Sequence, residues 1–181
     1  MIYNDDQKAL IMLSMVEGNA AKRKRFESVD RPRELYQDFS VADNMIAKME
    51  KEGIGAVTLI DDDYPESLKE IYDPPYVLFY KGDVSLLKSE DLLAIVGARK
   101  VSAYGKNIML NFAPAFIKSG LIIVSGLARG VDSIGHKISL DNGAPTVAVV
   151  ANGLDICYPP ENSQLQSKIA QTGVVVSEYP M

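Results

Sequence analysis

The chain has 181 residues, with 19 Lys and Arg against 24 Asp and Glu for a net charge of −5, which is enough for one substantial core plus a small appendage. That balance excludes a wholesale basic nucleic-acid coat and leaves room only for a local basic crevice. A single cysteine, Cys157, and a single histidine, His136, exclude a disulfide framework and a His/Cys zinc cluster, so no metal and no cofactor is expected. No apolar run approaches the roughly 20 residues of a membrane span, and the acidic start at Asn4, Asp5 and Asp6 is no secretory signal; a cytoplasmic protein without membrane contact is expected.

In chain order, Asn4 followed three residues later by Gln7 predicts a capping-box helix through Leu10, Ile11, Leu13 and Met15, ended by Gly18. The basic run Lys22-Arg23-Lys24-Arg25 reads as a solvated helix face, with nucleic-acid contact the sharper alternative. Arg31-Pro32 marks a turn. Ser40 with Asp43 then predicts the capped start of a second helix through Met45, Ile46 and Met49, ended by Gly53. Residues 1–53 are thus expected to form a small helical domain and residues 54–181 a second, larger one.

The larger part begins with a predicted strand over 57–60. Asp61, Asp62, Asp63 and Tyr64 then lead through Pro65 into a short helix around Leu68, where the acids favour a helix start rather than a metal. A strand follows over 76–80. The continuously apolar run 92–96 (LLAIV) predicts a strand buried on both faces of a parallel sheet. It gives way at Gly97 to a loop, and Ser102 caps a helix that runs to Gly120 with Pro114 as an expected kink. The unit repeats: a strand over 121–124, the loop Ser125-Gly126-Leu127-Ala128-Arg129-Gly130, and a helix closed by Gly143. A third strand over 146–150 leads to the loop at Asn152 and Gly153, a helix from Glu161 to Gly173, and a fourth strand over 174–176. The alternation predicts an α/β fold, a Rossmann-like sheet with parallel core strands and helices on both faces, preceded by the small helical domain.

Right-handed crossovers place the loops that follow parallel strands at one sheet edge, where open α/β sheets bind ligands. Arg99 and Arg129 should therefore face one crevice. Glycines let the backbone approach an anion, helix N-termini offer free N–H groups, and arginine grips phosphate bidentately, with Lys100 and Lys106 as weaker point charges. For Arg129 the alternative is a salt bridge to Asp132 or Glu178. Tyr104 and Tyr158 could stack bases, but buried tyrosines at the loop base are the expected outcome. Ser125 and Ser177 either reach phosphate or brace their own loops. His136 is expected to be packed rather than catalytic, and Cys157 to be a small buried hydrophobe. No nucleophile elbow, dinucleotide fingerprint or Walker lysine is present, so no enzymatic activity is expected.

The motifs GARKVSAYG, SGLARGVDSIGH, NGLDICYPPEN and SEYP, in that order, resemble the DNA-processing protein A family, also called Smf, from about Val57 onward. The resemblance implies a protein of natural transformation and DNA recombination. It would bind and protect single-stranded DNA without strong sequence preference, load RecA recombinase onto it and self-associate. It also implies a helical module of the sterile-alpha-motif or helix-hairpin-helix kind in residues 1–53. The implied DNA- and phosphate-binding set is Gly97, Arg99, Lys100, Ser102, Gly105, Ser125, Gly126, Arg129, Gly130, Asn152 and Gly153. The family pattern continues after SEYP, so the expectation is a domain truncated at its C-terminus, with the strand at 174–176 as a free edge through which copies associate. The alternative is a nucleotide-binding or nucleoside-monophosphate phosphoribohydrolase-like Rossmann protein, although the P-G-G-x-G-T-x-x-E signature of those enzymes is missing and the loop reads Ala151-Asn152-Gly153-Leu154-Asp155 instead.

Overall fold

The structure, a computed structural model, describes residues 2–181. Its helices are α1 (Asp5–Ser14), α2 (Asn19–Phe26), α3 (Ser40–Lys51), α4 (Glu66–Lys69), α5 (Ala103–Lys118), α6 (Val131–Asp141) and α7 (Ser163–Thr172). Its strands are β1 (Gly55–Thr58), β2 (Val77–Gly82), β3 (Leu92–Ala94), β4 (Ile122–Ser125), β5 (Thr146–Val150) and β6 (Val174–Ser177). They form one sheet in the order β1-β2-β6-β5-β4-β3. Neighbours among β3, β4, β5 and β6 are parallel, while β2 runs antiparallel to both β1 and β6.

Because β3 to β6 add side by side in sequence order, right-handed crossovers throw α5, α6 and α7 onto the same face. The register agrees: Ser125, Ala148, Val175, Lys81 and Phe79 are linked by strand pairing to one side, and that side meets Ala113 of α5, Ile138 of α6, and Leu165 and Ile169 of α7. The opposite face, carrying Val57, Leu78, Val147, Val174 and Val176, is covered by Tyr64 and Leu68 around α4 and by the 3₁₀ segment Val84–Lys88. The two faces are therefore covered unequally. Toward β3 the second face stays open as an apolar groove of about 290 Å³ beside Ile71, Leu92, Val124 and Val149.

Asn4 caps α1 as predicted, accepting from the Gln7 N–H while the Gln7 side chain accepts from the Asn4 N–H. Gly18 does not end α1, which stops at Ser14; it opens α2 at φ +79°, so the basic run is helical. Ser40 is not a cap either. Phe39 holds that position, the Ser40 hydroxyl donates to Asp38, and Asp43 pairs with Lys8 at 2.7 Å, tying α3 to α1. The predicted strand over 57–60 is shifted to Gly55–Thr58, because Asp61 closes a turn by accepting from the Thr58 N–H at 2.7 Å. Helix α5 runs unbroken through Pro114. Residues 1–53 do not bury a core of their own: Leu10, Ile11, Leu13, Ile46 and Met49 share one cluster with Phe79, Ala148, Leu165 and Val175.

Two expectations about the strands are overturned. The run at 92–96 is not buried on both faces: β3 lies at the sheet edge, Leu92 is 36% exposed and Val96 78%. Nor is 174–176 a free edge, since β6 sits between β2 and β5 with all four residues buried. Continuous apolarity does not tell edge from centre. What closes the β6 side is β2, an antiparallel strand from earlier in the chain.

Candidate nucleic-acid interface

The loops that follow β3, β4 and β5 gather at the carboxyl edge of the parallel strands, as right-handed crossovers require. Arg99, Ala128, Arg129, Tyr158 and Pro159, drawn from all three loops, line one shallow hollow of about 20 Å³. The two arginines predicted to share a crevice do so. Tyr158 precedes a cis peptide bond to Pro159. Tyr104 and Tyr158 are not buried at the loop base; they are 76% and 60% exposed, leaving their ring faces open for stacking. Cys157 is half-buried rather than buried, its thiol donating weakly to the Pro159 carbonyl.

The loop after β4 is closed on itself. Asp132, buried in the first turn of α6, accepts from the N–H groups of Gly126 at 3.1 Å and Ala128 at 3.4 Å, so a carboxylate of the chain occupies the place where an anion would meet that helix start. Leu127 adopts φ +56° and drops its fully buried side chain into the core. Asn162, which the motif reading missed, holds the same loop from the start of α7: its Nδ2 donates to the Leu127 carbonyl at 2.8 Å and it is 6% exposed. An asparagine two residues beyond a Pro-Pro pair carries a helix-start signal, but nothing local names a partner 35 residues away.

Ser125 and Ser177 brace protein. The Ser125 hydroxyl donates to the Ile95 carbonyl at 2.6 Å, and Ser177 Oγ accepts from the Tyr179 N–H at 3.0 Å. Asn152 spends its amide on the carbonyls of Gly153 and Ile156 in its own loop. Gly153 is needed for space, since a Cβ there would lie 2.7 Å from the Pro180 carbonyl oxygen. Arg129 pairs with Glu161, not with Asp132 or Glu178. That hydrogen bond holds the Glu161 carboxyl below the usual carboxylate range and secures the charge on Arg129, both groups standing in solvent.

The loop after β3 is open by contrast. Ser102 caps α5 by accepting from the Gly105 N–H at 3.1 Å. Among the described residues, the backbone N–H groups of residues 98 to 101 reach no acceptor. Arg99, Lys100 and Lys106 are exposed, and no ion pair engages them among the described residues. The two loops are locked together: Val131 N–H donates to the Ala98 carbonyl at 3.2 Å, and Gly130, at φ +84° and ψ −126°, lies against that carbonyl. Gly97 packs its bare Cα on Val131, where a Cβ would come within 2.7 Å.

His136 is packed, as expected. It is fully buried beneath α6 with Nδ1 2.8 Å from Thr146 Oγ1, whose hydroxyl donates to the Ile123 carbonyl, so the ring nitrogen is the donor of the pair. Burial pulls its pKa down to about 4 against a raising influence of Asp132. Among the described residues no group of three His, Cys, Asp or Glu side chains could hold a metal ion, and no helix is long and apolar enough to cross a membrane.

Comparison with known proteins agrees with this architecture. The sequence model of the DNA recombination-mediator protein A family matches residues 55–181. The DNA processing protein DprA of Bacillus subtilis is 35% identical over 158 residues, covering 87% of this chain and 53% of that protein. The DprA of Streptococcus pneumoniae is 40% identical over 141 residues, covering 78% and 49%. The X-ray structure of the S. pneumoniae protein superposes with a TM-score of 0.75 at 32% identity, covering 99% of this chain and 69% of that one. A structure of DNA processing protein A from Helicobacter pylori, described for its single-stranded DNA binding mode, superposes at 0.62 with 33% identity over 71% of this chain and 56% of that one. The chain spans about half the length of the curated relatives it matches. With its family motif running from the first strand to the last residue, the chain belongs to the DNA recombination-mediator protein A family, the DprA/Smf proteins.

Proposed function

We propose that this chain binds single-stranded DNA by its sugar-phosphate backbone and acts, as a binding protein without chemical turnover, in cytoplasmic DNA processing during natural transformation, delivering the bound strand to RecA recombinase. The observation that carries the reading is the asymmetry of the two glycine loops. Two donors of the loop after β4, the Gly126 and Ala128 N–H groups, are taken by Asp132, whereas the loop after β3 keeps the N–H groups of all of residues 98 to 101 free beside Arg99 and Lys100, with Arg129 across the hollow. Free backbone donors, a helix start and unpaired cations together make an anion cradle. Gly97 and Gly130 serve by letting the loops approach one another, Gly126 by admitting the Asp132 carboxylate, Gly153 by admitting the Pro180 carbonyl, and Ser102 with Gly105 by fixing the start of α5. Residues 1–53 act as an appended helical module seated on the covered face. Self-association is assigned to the open edge, where β3 lies beside the exposed Ile108, Phe112 and Phe116 of α5.

Fluorescence anisotropy with an unstructured oligonucleotide tests the cradle. Arg99→Ala should weaken binding and flatten the log–log salt dependence by about 0.7 per lost phosphate contact. Glu161→Gln, which releases Arg129 and removes a nearby negative charge, should strengthen binding. Base composition should matter little, because backbone contacts carry no sequence information. An Arg99→Ala variant that binds like the parent at every salt concentration refutes the assignment.

A further inference from the structure

The basic run at 22–25 lies outside the crevice, yet the sheet places it at the same edge. Phe79 pairs with Ser177 and β2 runs antiparallel to β6, so the residues just before β2 stand where the parallel strands end. Helix α2 is fastened to those residues. The Arg23 guanidinium lies 4.4 Å from the Tyr72 ring centroid and donates to the Tyr72 carbonyl at 3.2 Å and to Asp73 Oδ1 at 2.9 Å. Asn19 Nδ2 donates to Asp73 Oδ2 at 2.6 Å, and the Phe26 ring sits 5.0 Å from that of Tyr76.

At 100° per residue this fastening decides what faces outward. Arg23 and Phe26, about 60° apart on the helix wheel, are turned to the protein, which leaves Lys24 and Arg25 on the far arc. Both are exposed, α2 contains no acid, and neither residue has an ion-pair partner among the described residues. Lys22, on the flank, shares a small hollow with Asp73 and Glu178 and so meets acids. Arg23 is thus the cation neutralised to hold the helix, and Lys24 and Arg25 are those left free. From the Arg99 and Arg129 hollow the edge continues past Gly153 to Pro180, whose carbonyl oxygen lies 2.7 Å from a Cβ at Gly153, then to Glu178 and α2. Three to four strand spacings separate the two cation groups across the sheet, roughly 15 to 20 Å.

We propose that α2 is a second contact for the sugar-phosphate backbone, Lys24 and Arg25 taking the strand where it leaves the crevice over the end of β6. The assignment rests on the crevice reading and extends it from a cradle to a track. A lipid surface fits less well, because the outward arc between the two cations carries Ala21 and Ser28 rather than large apolar side chains. The role also accounts for the fastening: a basic helix left loose in a chain of net charge −5 would find acids of its own.

The test uses the whole chain with unstructured oligonucleotides of about 3 and about 20 nucleotides; at about 3.4 Å per stacked nucleotide the short one falls well below the separation of the two cation groups and the long one exceeds it. The double variant Lys24→Gln/Arg25→Gln leaves the Arg23 fastening intact, and its unfolding midpoint should match the parent. For the long oligonucleotide it should lower the salt slope by about 1.4, so its deficit is about sevenfold greater near 50 mM salt than near 200 mM. The short one should bind as before. Arg99→Ala should weaken both lengths, so an Arg99→Ala variant equal to the parent removes the crevice, whereas a double variant equal to the parent on the long oligonucleotide removes the α2 contact. Equal loss at both lengths overturns the track, since α2 would then act on the crevice itself. Unchanged DNA binding with lost binding to phosphatidylserine vesicles overturns it in favour of a lipid surface.

Discussion

Replacing Gly130 by alanine perturbs the point where the two loops of the crevice meet. Gly130 has φ +84° and ψ −126°, and a Cβ there would lie 2.2 Å from the Ala98 carbonyl oxygen and 2.7 Å from that of Arg99. Both are backbone atoms, which no side-chain rotation can clear. The left-handed backbone costs an alanine about 1 to 3 kcal/mol, and forcing the loops apart adds about 1 to 3 kcal/mol of overpacking. A total of about 2 to 6 kcal/mol is a large part of the stability of a domain of this size. Gly18→Ala is the control, for Gly18 has φ +79° with nothing within 4 Å of a Cβ; it should cost only the backbone part, about 1 to 3 kcal/mol. Urea unfolding with linear extrapolation measures both, and by heat the Gly130→Ala midpoint should fall by roughly 10 °C at about 2 to 4 °C per kcal/mol. If the loop after β3 yields instead, stability recovers but the Val131 to Ala98 hydrogen bond and the oligonucleotide affinity are lost. A Gly130→Ala variant that matches Gly18→Ala in stability and the parent in DNA binding refutes the reasoning.

His136 should make stability depend on pH in one window. Its folded pKa, about 4 through burial, lies below the ordinary value near 6.5, so between the two the unfolded chain binds the extra proton and stability falls as pH falls. The loss from about pH 7 to about pH 5 should be about 2 kcal/mol, read by urea unfolding at each pH; an NMR titration placing the single imidazole near 6.5 in the folded chain contradicts it. At the open edge, sedimentation velocity should show concentration-dependent association of the parent, and Leu92→Lys on β3 should shift it toward monomer. A parent that is monomeric throughout the accessible concentration range refutes the edge assignment.

The sequence by itself determined the local events. Asn4 with Gln7, Ser102 before α5, and glycines after short Val- and Ile-rich runs name helix starts and strand ends, because each depends on contacts within four residues or on the alternation of strand and helix. From that alternation the handedness rule alone brought Arg99 and Arg129 to one hollow. Tertiary structure decided everything that depends on a distant partner. Buried β6 and exposed β3 are equally apolar in sequence, and what separates them is that β6 has a strand on each side and β3 on one side only. Residues 1–53 look separate because start and stop signals can be read locally along them, yet an amphipathic helix does not specify what its apolar face will meet, and here it meets the sheet. The anionic partner of Arg129 is Glu161, 32 residues on, and the partner of Arg23 is Asp73, 50 residues on. Which donors and cations stay free for a ligand is what remains after such long-range pairings are made, so the gathering of the loops at one edge was legible in the sequence and the partner of each side chain was not.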